Sequence, residues 1–105
     1  MRIIARNTLK LFWENHYDAE HPLKAWFAEA EKASWKSHND IKNKYKSAPI
    51  IINKRVVFNI RGNKYRLVAD IECKLGIVFI IWIGSHKNYD KLNIKEISYV
   101  KTYKK

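Results

Sequence analysis

Between Arg55 and Asp90, polar and apolar residues alternate with a period that only extended backbone uses. Val56, Phe58 and Ile60 interleave with Arg55, Val57, Asn59 and Arg61, and β-branched and aromatic side chains at period two predict a strand with one wetter face. Arg61-Gly62-Asn63 follows as a turn; Gly62 and Asn63 both tolerate positive φ, so a short hairpin loop is expected there. From Tyr65 to Lys74 the alternation resumes. Tyr65, Leu67, Ala69, Ile71 and Cys73 point one way, and Arg66, Val68, Asp70, Glu72 and Lys74 form a charged face on the other. After a second turn at Leu75-Gly76, Ile77 to Ile83 is apolar at every position, which a strand tolerates only with both faces covered. It is expected to be the central strand.

The N-terminal part has a different period. Met1 to Ala5 is short and β-rich, suited to an added strand. Asn7 is a candidate cap for a helix whose Leu9, Phe12, Trp13 and His16 fall at i, i+3, i+4 and i+7, an apolar stripe on which His16 reads as a packed residue. Asp18 is the next candidate cap, with Pro22 in the first turn, and Leu23, Trp26, Phe27, Ala30 and Ala33 repeat the spacing. Two helices joined at Tyr17-Asp18 predict a hairpin against one sheet face. Ser37 and Asp40 have the spacing of a capping box opening a short helix through Tyr45, and Ala48 to Ile52 reads as an apolar connector. The fold class expected is α+β: an N-terminal helical hairpin on a small, mostly antiparallel sheet. Residues 1–105 form one domain in this reading, with a helical half near 6–46, a sheet half near 55–90 and a basic tail over 91–105. That tail, with Ile94, Ile97, Tyr99 and Tyr103 among lysines, suits either a last edge strand or a frayed end.

Composition supports a folded chain: of 105 residues, 47% are hydrophobic, including four Trp, six Tyr and four Phe. No apolar run approaches the ~20 residues of a membrane span, and only three apolar residues separate Arg2 from Arg6, too few for a signal-peptide core, so a cytoplasmic protein with no membrane partner is expected. Cys73 reads as a buried structural thiol. The four histidines show no paired ligand spacing, so neither a metal nor another cofactor is expected.

The net charge of +11 is unevenly placed. Basic and acidic residues balance over residues 1–40, and the whole excess falls in residues 41–105. A neutral helical half joined to a strongly basic sheet half is the electrostatic footprint of a nucleic-acid binder. Topology then gathers the polar groups. In an up-down-up meander the third strand exits beside the first hairpin turn, which puts Ser85, His86, Tyr89 and Asp90 near Lys64 and Arg66, with Asn59 alongside.

The stretches RVVFNIRGNKYRLV and GIVFIIWIGSHKNYDKL, and the opening MRIIARNTLKLFWENHYDAEHPLKAWFAEAEKASW, resemble the HigB toxin family, a branch of the RelE/ParE-like toxins of bacterial toxin–antitoxin pairs. The pattern usually has Thr where this chain has Ser85, which keeps the hydroxyl. The resemblance implies an mRNA endonuclease acting in the A site of the ribosome and neutralised by a HigA-like helix-turn-helix antitoxin. It places His86, Arg66, Tyr89 and Asp90 in the catalytic group, with Lys64, Arg61, Asn59, Arg55 and Lys87 as RNA or phosphate contacts.

RNA cleavage without a metal uses the substrate's own 2′-hydroxyl as nucleophile, so the protein supplies a base, an acid and positive charge for the phosphorane. His86 suits the acid or the base. Tyr89 takes the complementary part if neighbouring cations lower its pKa, or stacks on a base; Asp90 orients His86, assists as a base or caps a turn. The competing class is a non-catalytic ParE-like toxin or basic RNA-binding module that blocks its target without cutting. A titratable histidine beside Arg66 favours the nuclease.

Overall fold

The period-two run Tyr65–Glu72 becomes β4, the strand on which the sheet is built. In the computed structural model, residues 1–45, 50–94 and 97 are described. Among them five strands form one sheet in the order β1 (Arg2–Ile4), β5 (Ile77–Ser85), β4, β3 (Arg55–Ile60), β2 (Ile50–Ile52). β1 runs parallel to β5, and every other neighbouring pair is antiparallel. With the helices this is the expected α+β fold. β5 is interior but not central; that place belongs to β4, because β1 adds a strand outside β5 and β2 adds one outside β3. The expected connector is partly that edge strand: Ile50 to Ile52 pairs with Val57 to Arg55, as a β-branched run beside an open strand edge favours.

One face of the sheet carries the main core. Val56, Phe58 and Ile60 of β3, the odd-numbered positions of β4, and Val78, Ile80 and Ile83 of β5 meet α1 (Arg6–Asn15), α2 (Tyr17–Lys32), Trp35 and Ile41 of α3 (His38–Lys44). Phe58 is the aromatic centre: Trp26 crosses it edge-on at 5.2 Å and Tyr45 at 5.0 Å. Burying such side chains supplies the largest favourable folding term.

Helix starts differ from their sequence signals. α1 begins at Arg6, with Ala5 in the left-handed region at φ 72° as its cap, so Asn7 lies inside the helix. α2 begins at Tyr17 with His16 as the junction, and no side chain caps it. Asp18 is thus within the first turn, and its carboxylate is used elsewhere. Pro22 sits one turn deeper than expected, where it forgoes the helical bond to the Asp18 carbonyl. α3 starts after Ser37 as predicted, but Ser37 makes no side-chain cap; the Lys36 amide donates to Asp40 Oδ2 at 2.9 Å. His16 stacks on Phe12 with ring centroids 4.1 Å apart while remaining exposed. His21 is exposed within α2, and His38 is half-buried at the start of α3.

The opposite sheet face is not simply charged. Val57, Val68 and Ile81 form a second buried cluster, against which Phe79, Trp82, Tyr89, Ile94 and Ile97 pack. The expected basic tail therefore divides: Ile94 and Ile97 cover this face, while Lys95, Tyr99 and Tyr103 lie outside the described residues, as do Lys46, Ala48 and Pro49. Cys73 packs partly buried against the main core, and burial pushes its thiol up from the ordinary range.

Candidate active site

The first hairpin fixes the site's geometry. Asn59 pairs with Arg66 across β3 and β4, and Arg66 pairs with Gly84 across β4 and β5, so three strands deliver these positions to one end of the outer face. The turn between β3 and β4 puts positive φ at Arg61 (54°) and Gly62 (65°), not at Gly62 and Asn63. That leaves Asn63 free to act as a side-chain acceptor: the Arg66 guanidinium donates to the side-chain oxygens of both Asn59 and Asn63.

β5 reaches the site through an irregularity. Val68 pairs with Trp82 but Ala69 with Ile80, so one extra residue is accommodated at Ile81. The bulge lets Ile81 and Trp82 both pack on the outer cluster before Ile83 returns to the inner core. Trp82 then lies over Gly84. A Cβ at Gly84 would overlap the outer ring of the Trp82 indole, so any larger residue has to displace that ring.

At the end of β5, Ser85 caps the short helix α4 (His86–Tyr89): its Oγ accepts from the Asn88 amide at 3.1 Å. A cap is what the Ser85 hydroxyl supplies, and threonine has the same group. The His86 amide donates to the Lys64 carbonyl at 3.0 Å, which ties α4 to the hairpin. On the turn itself, His86 Nδ1 lies 3.3 Å from the Asp90 carboxylate. Tyr89 reaches back over the sheet, its ring centroid 6.4 Å from that of Trp82 and 5.5 Å from the Arg66 guanidinium carbon. Burial pushes the Tyr89 phenol above its usual range, and Arg66 offsets only part of that effect. A tyrosine lowered by its cations is therefore not what forms; the ring is a neutral lid on Arg66.

The remaining expected cations divide. Lys64 pairs with Asp18 of α2, and Arg61 approaches the same carboxylate at 3.5 Å. The Tyr65 hydroxyl donates to Asp18 Oδ1 at 2.6 Å. Hydrogen bonding from Lys64 foremost holds the Asp18 carboxyl at about 2. Lys87 is exposed on α4. Arg55 is not brought to this end: it lies at the start of β3, ion-paired with Asp70 at 2.7 Å. Sequence reasoning missed Asp18, Asn63, Trp82 and Gly84. All four lie within the stretches that carry the family resemblance, but Asp18 read as a helix cap and Asn63 as a turn residue.

A family model for the HigB toxin, described as the RelE-like toxic component of a toxin–antitoxin system, matches residues 19–92. The chain belongs to the HigB toxin family. The match runs from within α2 to just past α4 and includes Asn59, Asn63, Arg66, His86, Tyr89 and Asp90, while residues 1–18, Asp18 among them, fall outside it. No curated protein matches the chain. As a HigB-type toxin it has an antitoxin as its partner. Among the described residues no helix is long and apolar enough to cross a membrane.

Proposed function

We propose that this HigB-family chain acts as one toxin domain in the cytoplasm, cleaving mRNA in the ribosomal A site without a metal, and that a HigA-like helix-turn-helix antitoxin restrains it. The observation that carries the reading is the meeting of Arg66, Tyr89 and the His86–Asp90 pair at one end of a sheet whose half of the chain holds the whole basic excess.

In this reading Arg66 binds the scissile phosphate. Its Nη1 is already held by Asn59 and Asn63, so less freedom is lost when phosphate meets the rest of the guanidinium. The 2′-hydroxyl loses its proton to a base and its oxygen bonds to phosphorus; the bond from phosphorus to the 5′-oxygen breaks, and that oxygen takes a proton from an acid. The products are a 2′,3′-cyclic phosphate and a 5′-hydroxyl end. His86 performs one of the two transfers, with Asp90 orienting its ring through Nδ1. Tyr89 stays neutral, walls off Arg66 and offers a face on which a base can stack. Lys87 and, once released from Asp18, Lys64 and Arg61 add charge along the RNA.

Primer extension on a translated message, and on the same message lacking a start codon, tests the proposal. Cuts inside the translated frame alone are expected. Equal cutting of both removes the ribosome from the mechanism, and no cutting of either removes the nuclease.

A further inference from the structure

Arg55 lies four register steps from the Asn59–Arg66 pair, about 13 Å at about 3.3 Å per residue, yet it is among the most thoroughly engaged side chains of the sheet. Its Nε donates to Asp70 Oδ1 at 2.7 Å and Nη2 to Asp70 Oδ2 at 3.0 Å, with the two side chains only 13% and 15% exposed. The third nitrogen, Nη1, turns outward from the pair and donates to the backbone carbonyls of Ile94, at 3.1 Å, and Ile97. One guanidinium therefore joins two strands to the segment that follows α4.

That segment leads back to the active site. The amides of Asp90, Lys91 and Leu92 donate to the carbonyls of His86, Asn88 and Tyr89, continuing the α4 turn, and the Ile97 amide donates to the Asn93 carbonyl. Ile94 and Ile97 rest on Val57, Val68 and Ile81, the cluster on which Tyr89 and Trp82 also rest. The stretch from His86 to Ile94 is thus pinned at one end by the Ser85 cap and at the other by Arg55.

We propose that Arg55 and Asp70 are positioning residues, a clamp that fixes the turn bearing His86, Tyr89 and Asp90 from the far end of the sheet. The catalytic consequence of the clamp rests on the nuclease reading; its structural consequence does not. Arginine is required because only a planar fork satisfies a carboxylate and two carbonyls at once, and a lysine ammonium on a flexible stem cannot hold all of them in that geometry.

Arg55→Lys keeps a cation beside Asp70 but gives up the fork, and Ile94→Ala loosens the segment without touching the ion pair. In both variants the amides of Asp90, Lys91 and Leu92 are expected to exchange with solvent about tenfold faster than in the unaltered protein, while those of Phe58 and Leu67 in β3 and β4 keep their protection. Single-turnover cleavage on ribosomes should fall about tenfold with ribosome affinity unchanged, as for a misplacement remote from the chemistry. Unaltered exchange at 90–92 in both variants overturns the clamp. So does a loss of protection shared equally by the strands, which would make Arg55–Asp70 a stabilising pair only. If the unaltered protein cuts no RNA, the nuclease reading fails, and the exchange pattern still decides the clamp by itself.

Discussion

Lys64 and Asp18, 46 residues apart in the chain, form an ion pair that ties the β3–β4 hairpin to the helical layer. A cation that sequence alone assigns to RNA is thus already engaged in the free protein, and Arg61 shares the same carboxylate. If the nuclease proposal holds, RNA and Asp18 compete for these two groups.

Asp18→Asn tests that competition. The amide keeps an acceptor for the Tyr65 hydroxyl but releases the charge on Lys64 and Arg61. The variant is expected to bind RNA more tightly at low salt, with a log–log salt dependence steeper by about 0.7 for each cation freed onto a phosphate. A filter-binding series from low to physiological salt measures the slope; an unchanged slope would show that neither cation reaches RNA.

His86→Ala removes a proton carrier while leaving the basic field in place. Single-turnover cleavage should drop by about 10²- to 10⁴-fold, with the thermal midpoint, ribosome co-sedimentation and antitoxin binding retained. Full cleavage by the folded variant would assign His86 to structure.

The pH dependence follows from two displaced groups. Asp18 is held at about 2, below its ordinary 3.8, so the stability it contributes is complete above about pH 4 and is lost only as pH falls toward 2. Tyr89 is pushed up from 10, so its phenol stays protonated through neutral pH. Neither titrates between about pH 5 and 8. Cleavage by Tyr89→Phe should therefore show the same pH profile as the unaltered protein over that range, at a rate within about threefold because the ring still covers Arg66. A basic limb that disappears in Tyr89→Phe would make the phenol an acid or base after all, within the usual contribution of such groups.

Gly84→Ala places a methyl group inside the Trp82 indole. The ring has to swing off the sheet, and Tyr89 loses its neighbour. Overpacking of this kind costs about 1–3 kcal/mol, and activity is expected to fall further than the melting temperature alone explains. Trp26→Ala supplies the contrast: its side chain is 4% exposed in the main core, so about 3–5 kcal/mol of stability should be lost and activity should follow stability. Chemical denaturation and cleavage, measured on both, separate the two patterns.

What the sequence determined by itself is whatever depends on local period and on strand order. Alternation marked the start of β3 and β4, though β4 ends at Glu72 and not at Lys74; the unbroken apolar run pointed to a strand covered on both faces, which β5 is without being central; and the meander brought His86 beside Lys64, since an antiparallel pair dictates which ends meet. The hairpin motif and the SHKNYD segment carried the family. Tertiary structure decided what depends on contacts between distant segments. Helix caps are weak signals, worth about 1 kcal/mol, and packing moved the start of α2 to Tyr17, which turned Asp18 from a cap into the partner of Lys64. A single extra residue at Ile81 re-aimed Trp82, and no period in an all-apolar run can disclose a bulge. Arg55 looked like any cation of a basic sheet half. Only the closeness of Asp70 and of the Ile94 and Ile97 carbonyls, 15, 39 and 42 residues away, made it an anchor within the fold.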